Sequence, residues 1–286
     1  MRAVRPLLWV FLVTTFIGGI QLYIRYDSTE IAFAWTIEPP LSAAFLGAGY
    51  AAGFLLTALT LRAGRWANAR IAIVTVLMFT WLTLIVTLIH LDRFHLDSGD
   101  SAAQVAAWLW LAVYVIVPPW MAVALYLAWR AGEEDPPVAH PMRGGMRLAL
   151  GMVGAAMLAT GVALLVDPEW MAAGWPWPLT PLTGRAIGAW LIPLGAAAFQ
   201  AIWERDVVRL GPAYFTFAAF GLLQAIALAR FSNDVNWGEA GTWAYLVWLV
   251  ALVAIGLYGA LGAAPGGTAL APPTRRSNSP HLRGFR

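Results

Sequence analysis

The densest group of chemically capable side chains is His90-Leu91-Asp92-Arg93-Phe94-His95-Leu96-Asp97, closed by Asp100. Imidazole and carboxylate groups together suit a hard or borderline divalent metal. On a continuous helix His90, Arg93 and Asp97 would share one face, with Asp92 and His95 a turn apart on another. His90, Asp92, His95 and Asp97 are therefore the candidate metal ligands. The competing reading is a helix end whose charges reach water and cap backbone groups, and the lack of a second histidine pair on that side favours it. A bis-histidine haem is not expected, because His90 and His95 lie together while His140 and His281 fall in a loop and a tail.

A second constellation joins arginine to tryptophan. Trp170 to Arg185 reads WMAAGWPWPLTPLTGR, and tryptophan at such a helix edge ordinarily anchors in the headgroup layer. The sharper expectation is an outer vestibule in which Trp35, Trp175, Trp177 and Trp237 stack on an apolar ligand. Arg93, Arg185 and Arg230 would converge there and pair its anionic group.

Several chemistries are absent from the sequence. There is no cysteine, hence no disulfide, thiolate metal site or cysteine nucleophile. No P-loop, HExxH, GxSxG or dinucleotide fingerprint occurs, and no cofactor is specified. All 18 basic residues are arginine, read as codon bias, and they are scattered between apolar runs, which excludes a nucleic-acid face. Inside those runs ionisable side chains are almost absent, and Thr14, Thr15, Gln21, Thr83, Thr87, Gln200 and Gln224 are among the polar interruptions. Ion-coupled carriers keep charges near the midplane, so this poverty argues against one. Pro118-Pro119 and Pro193 could break their helices, and Gly49/Gly53 and Gly184/Gly188 have the spacing for close helix packing.

The elements that must position these groups are membrane spans. With 60% hydrophobic and 12% charged residues and a mean hydropathy of +0.68, water cannot be the solvent for most of the surface. Apolar runs cover Pro6–Ile24, Pro39–Leu61, Ile71–Ile89, Ser101–Trp129, Leu148–Val166, Ala186–Trp203, Leu210–Ala229 and Ala240 to about Gly262. Each is long enough to cross as a helix, so the expected fold is an all-α integral membrane protein of about eight transmembrane helices. The first run resembles a signal peptide but lacks a small-x-small cleavage site, so it is taken as an uncleaved helix.

Eight crossings place both termini on one side, and positive charge chooses it. Of the 18 arginines, 14 fall in the termini and alternate loops, against Arg25, Arg93, Arg185 and Arg230 opposite. The expected location is a bacterial cytoplasmic membrane with both termini cytoplasmic. Ten of the fifteen acids lie on the opposite, outer side.

The proline-rich connection 131–142 divides the chain into four-helix halves, 1–130 and 143–264, followed by a polar tail, 265–286, expected to be disordered. Trp35-Thr-Ile-Glu-Pro-Pro40-Leu-Ser42 introduces the second span much as Trp177-Pro-Leu-Thr-Pro181-Leu-Thr183 introduces the sixth. Arg93-Phe94 leaves the third as Arg230-Phe231 leaves the seventh. A duplication with an even number of spans per half would give a parallel repeat.

At HLDRFH and WPLTPLTGR the chain resembles a group of uncharacterised bacterial polytopic membrane proteins, a resemblance that implies the fold and no chemistry. The leading functional expectation is a non-enzymatic binding or transport protein for a small amphipathic or lipid-like ligand at its outer face. The alternatives are an accessory subunit of a larger membrane complex, and a lipid-modifying enzyme using Asp27, Asp92 or Asp97. Expected partners are membrane lipids and other membrane subunits, not nucleic acid.

Overall fold

The computed structural model describes residues 4–131, 137–138 and 140–263; the tail assigned to 265–286 and much of the connection 131–142 lie outside them. Ten α-helices are described: α1 Arg5–Gly19, α2 Thr29–Ala32, α3 Pro40–Ala63, α4 Trp66–Ile89, α5 Ser101–Arg130, α6 Gly144–Val166, α7 Pro168–Ala172, α8 Pro181–Glu204, α9 Gly211–Arg230 and α10 Ala240–Ala263. Among the described residues eight helices are long and apolar enough to cross a membrane, α1 being extended by a π-helical turn over Ile20–Ile24. The protein is a multi-pass, all-α membrane protein. Loops alternate between a terminal face, near Val4 and Ala263, and the opposite, far face.

Helix starts follow local chemistry. Proline sits in the first turn of α3, α8 and α9, where its missing N–H is no loss, and Asp100 Oδ1 and Thr180 Oγ1 cap α5 and α8. Gly64 and Arg205 end α3 and α8 in the left-handed region, at φ 67° and 60°. Three spans start several residues earlier than expected: α4 takes in Arg70, α6 takes in Arg147 and α8 takes in Arg185. An arginine does not stop a helix when its side chain finds a partner, as those of Arg70 and Arg185 do. Pro118, Pro119 and Pro193 sit inside unbroken helices. The irregular backbone falls instead at Ile20–Ile24, without proline.

Between helices the apolar contrast that drives folding in water is missing, so close backbone approach carries much of the packing. The α6–α8 seam is lined by glycines from both sides: a Cβ built on Gly188 would lie 2.7 Å from Gly161 O, and one on Gly195 would lie 2.8 Å from Gly154 O. Of the four glycines singled out by spacing, Gly188 belongs to this seam, Gly49 faces the Trp190 ring, and Gly184 faces Pro168.

The two halves pack reciprocally. Helix α1 lies on α3 as α6 lies on α8, α4 on α5 as α9 on α10, and the halves join through α3 on α9 and α4 on α8. Local geometry repeats as well. Each of α4 and α9 ends in a single 3-10 turn, Leu91–Arg93 and Ser232–Asp234. Just beyond, His95 N–H donates to Ala34 O at 2.9 Å, and Asn236 N–H donates to Pro176 O at 2.8 Å. Trp35 and Trp177 are both buried beside these bonds. The equivalence drawn between Arg93-Phe94 and Arg230-Phe231 is corrected by this geometry. Phe94 corresponds to Val235, both buried, and Arg230, the last residue of α9, corresponds to Ile89.

Candidate functional site

The far face gathers the segments with chemical potential: the loop from Arg25 to Pro39, the turn after α4, the segment Asp167–Thr180, and the turn after α9. Aromatic packing dominates. Trp35 contacts Phe33, Phe94 and Trp110 at ring-centroid distances of 4.9, 5.2 and 4.9 Å. Trp177 contacts Trp175 and Tyr245 at 5.4 and 5.6 Å and donates Nε1–H to Ser42 Oγ at 3.0 Å. Trp35 and Trp177 are thus core residues, not the walls of an open vestibule. Trp237 is exposed, with its Nε1–H on Ser232 O.

The three arginines do not converge. Arg93 is exposed and pairs with its neighbour Asp92 at 3.1 Å. Arg185 is half-buried, donating Nε–H to Leu165 O at 3.1 Å and Nη1–H to His90 Nε2 at 2.8 Å. Arg230 donates Nη1–H to Tyr23 O at 3.0 Å and lies 5.4, 5.3 and 5.1 Å from the rings of Tyr23, Tyr26 and Phe231. Arg93 and Arg185 flank His90, while Arg230 serves the end of the first span. Each guanidinium is satisfied locally by a carbonyl, an imidazole, a carboxylate or a ring face.

The four candidate metal ligands also separate. Among the described residues no three histidines or acids are placed to hold a metal ion. His90 accepts from Arg185, and burial followed by the Arg185 charge lowers its pKa below the usual histidine value. The His95 ring is held between Phe33 O at 2.9 Å and Thr36 Oγ1 at 3.1 Å, which clamps the loop before α3. The helix that would have aligned these groups ends at Ile89, so they do not share a helical face.

A cleft and a cavity lie on this side. A cleft of about 620 Å³ carries Asp27, Glu30 and Glu38 against Pro178 and Thr180. A cavity of about 290 Å³ lies between α6, α8 and α10 under the segment Met171–Pro176. Its floor is Phe45, Met157, Leu191 and Tyr245, all buried, and its mouth is Ala156 and Ala244, both exposed. Trp175 lines it, 8% exposed, and its Nε1 has no hydrogen-bond partner among the described residues. Behind the floor Gln224 ties three helices, donating to Phe45 O at 3.0 Å and accepting from the Tyr245 hydroxyl at 3.1 Å.

Sequence reasoning missed a charged cluster at the terminal face. Arg70 grips Glu204 in a bidentate pair, Nε to Oε1 at 2.7 Å and Nη2 to Oε2 at 2.6 Å, with the Glu204 carboxylate almost wholly buried. Nearby Asp206 and Arg209, also buried, lie 3.8 Å apart. The signal was present: Glu204 and Asp206 are acids on a side otherwise rich in arginine.

The chain matches no family model, no curated protein and no solved structure. The resemblance noted at HLDRFH and WPLTPLTGR therefore reaches only as far as a polytopic helical membrane protein.

Proposed function

We propose that the protein binds a small amphipathic or lipid-like molecule at its far face, in the cavity beneath Trp175, as a binding or transport protein of a bacterial cytoplasmic membrane. The carrying observation is the cavity of about 290 Å³, floored by Phe45, Met157, Leu191 and Tyr245 and open at Ala156 and Ala244. That volume is about twice the roughly 150 Å³ that admits benzene, and it lies at the lower edge of small-molecule pockets. The mouth between α6 and α10 opens sideways, where a molecule dissolved in the bilayer can enter. The expected arginine vestibule contributes nothing to this reading, which rests on the cavity alone.

The test is mass spectrometry of small molecules retained by the protein after purification in mild detergent. Wild type should retain a lipid-phase molecule, and Ala156→Trp, which plugs the mouth from an exposed position, should lose it while keeping its unfolding temperature. Retention unaffected by the plug would overturn the proposal.

A second reading, an accessory subunit of a larger membrane complex, is favoured by α5. Among the long helices α5 packs mainly on α4, and it exposes Trp108, Ile116, Trp120 and Trp129. A stable co-purifying protein whose contact maps to α5 would favour that reading.

A further inference from the structure

Resting on that binding reading, the composition of the wall says which lipid-phase molecule gains by leaving the bilayer. A mouth at Ala156 and Ala244 that opens sideways meets acyl chains. Moving hydrocarbon from lipid into an apolar cavity brings no hydrophobic gain, because lipid tails are as apolar as leucine. A selective occupant must therefore gain from this wall something that an acyl chain does not.

Charge does not supply the difference. No arginine, histidine, aspartate or glutamate lines the cavity, so an ionised group inside would have no counter-charge. The Tyr245 hydroxyl is already spent on Gln224 Oε1. What the wall offers is aromatic surface and thioether: Phe45, Trp175, Tyr245 and Trp248, with Met157 and Met171. The rings are braced against one another. Tyr245 stacks on Trp248 at 5.5 Å and 28°, and it lies 6.2 Å from Trp175. Phe45 meets Phe220 edge-on at 5.8 Å. Aromatic pairs gain beyond the area they bury, and methionine sulfur adds favourable contacts to rings. Side chains already held in place lose little freedom when a further ring enters.

Volume sets the size. About 290 Å³ is about twice the roughly 150 Å³ that admits one benzene, which leaves room for two such rings. We infer that the cavity selects an uncharged aromatic molecule of two rings, fused or linked, over the acyl chains of the bilayer. A larger molecule would seat its ring system here and leave its apolar remainder at the mouth.

Biphenyl and dodecane have the same number of carbon atoms, and both dissolve in bilayers. Each is equilibrated with nanodiscs that carry the protein and with empty ones, and the amount retained is read by gas chromatography with mass spectrometry. The protein should enrich biphenyl about 5-fold more than dodecane, the range of one favourable ring contact. Trp248→Leu, at a half-buried position, should reduce that preference. Ala156→Trp should remove the enrichment and leave the unfolding temperature unchanged. Equal enrichment of the two probes, or stronger enrichment of dodecane, overturns the inference and leaves a hydrocarbon-binding cavity. A preference unchanged by either variant overturns it as well, since the aromatic wall would then not be its source. If neither probe is enriched over empty nanodiscs, the binding reading itself fails.

Discussion

Trp35 and Trp177 stand at matching points of the two halves, and they differ in one bond. Trp177 Nε1–H reaches Ser42 Oγ at 3.0 Å, whereas Trp35 Nε1 is buried with no acceptor among the described residues. Beside Trp35 lies a cavity of about 20 Å³, also lined by Thr83, Thr87 and Trp110. One water needs roughly 10–15 Å³ and two or more polar partners. An experimental map is expected to show a single ordered water in that space. A crystal pressurised with xenon that placed the gas in this space would mean a dry cavity and end the prediction.

The spans themselves were legible because backbone hydrogen bonding in lipid leaves the helix as the only open-chain solution, and long apolar runs announce it. Helix edges were less so. Charge was read as a boundary at Arg70 and Arg185, but Glu204 and His90, distant in sequence, let those arginines ride inside helices. The site was legible by residue type and not by place. Trp175 does line a cavity, yet Arg93, Arg185 and Arg230 are separated because which groups meet depends on helix ends a few residues apart. The likeness between the halves was legible at Trp35 and Trp177, which precede helices, and not at the arginines, where the pattern Arg-Phe recurs one turn out of register.

The buried pair of Arg70 and Glu204 joins the start of α4 to the end of α8, and therefore one half to the other. Breaking a buried ion pair from one side costs about 3 kcal/mol or more, whereas replacing both partners by apolar groups is often neutral. Glu204→Gln should accordingly lower the thermal unfolding midpoint in detergent, and the double replacement Arg70→Met with Glu204→Met should restore most of the loss. Arg70 also lies 5.5 Å from the Trp203 ring, so part of its contribution survives in the single variant Glu204→Gln. An unchanged midpoint for Glu204→Gln would show that the pair carries no net stability.

The orientation expected from the arginine asymmetry is open to a direct measurement, since the chain has no cysteine. Single cysteines at the exposed positions Glu169 and Trp237 should react with a membrane-impermeant maleimide in intact cells. One at exposed Ala131 should react only after lysis. The reverse pattern would invert the protein in its membrane and move the Trp175 cavity to the inner leaflet.

His90 supplies a pH dependence whose sign is fixed by its surroundings. Its Nε2 accepts from Arg185 on α8, Arg93 adds a second positive charge from its own turn, and Asp92 opposes them. Burial first and Arg185 second hold its pKa below the ordinary histidine value of about 6.5. The unfolded chain therefore binds the proton more readily than the folded one, so stability rises with pH through this region. The contribution is fully present above pH ~6.5 and is lost as pH falls through the lowered folded value. Thermal unfolding of wild type in detergent should show that decline on acidification. In His90→Gln, whose amide oxygen can still accept from Arg185 but does not titrate, the same span of pH should give a flatter curve. If both proteins lose stability equally, the acid sensitivity belongs to another group and the Arg185–His90 contact is not its origin.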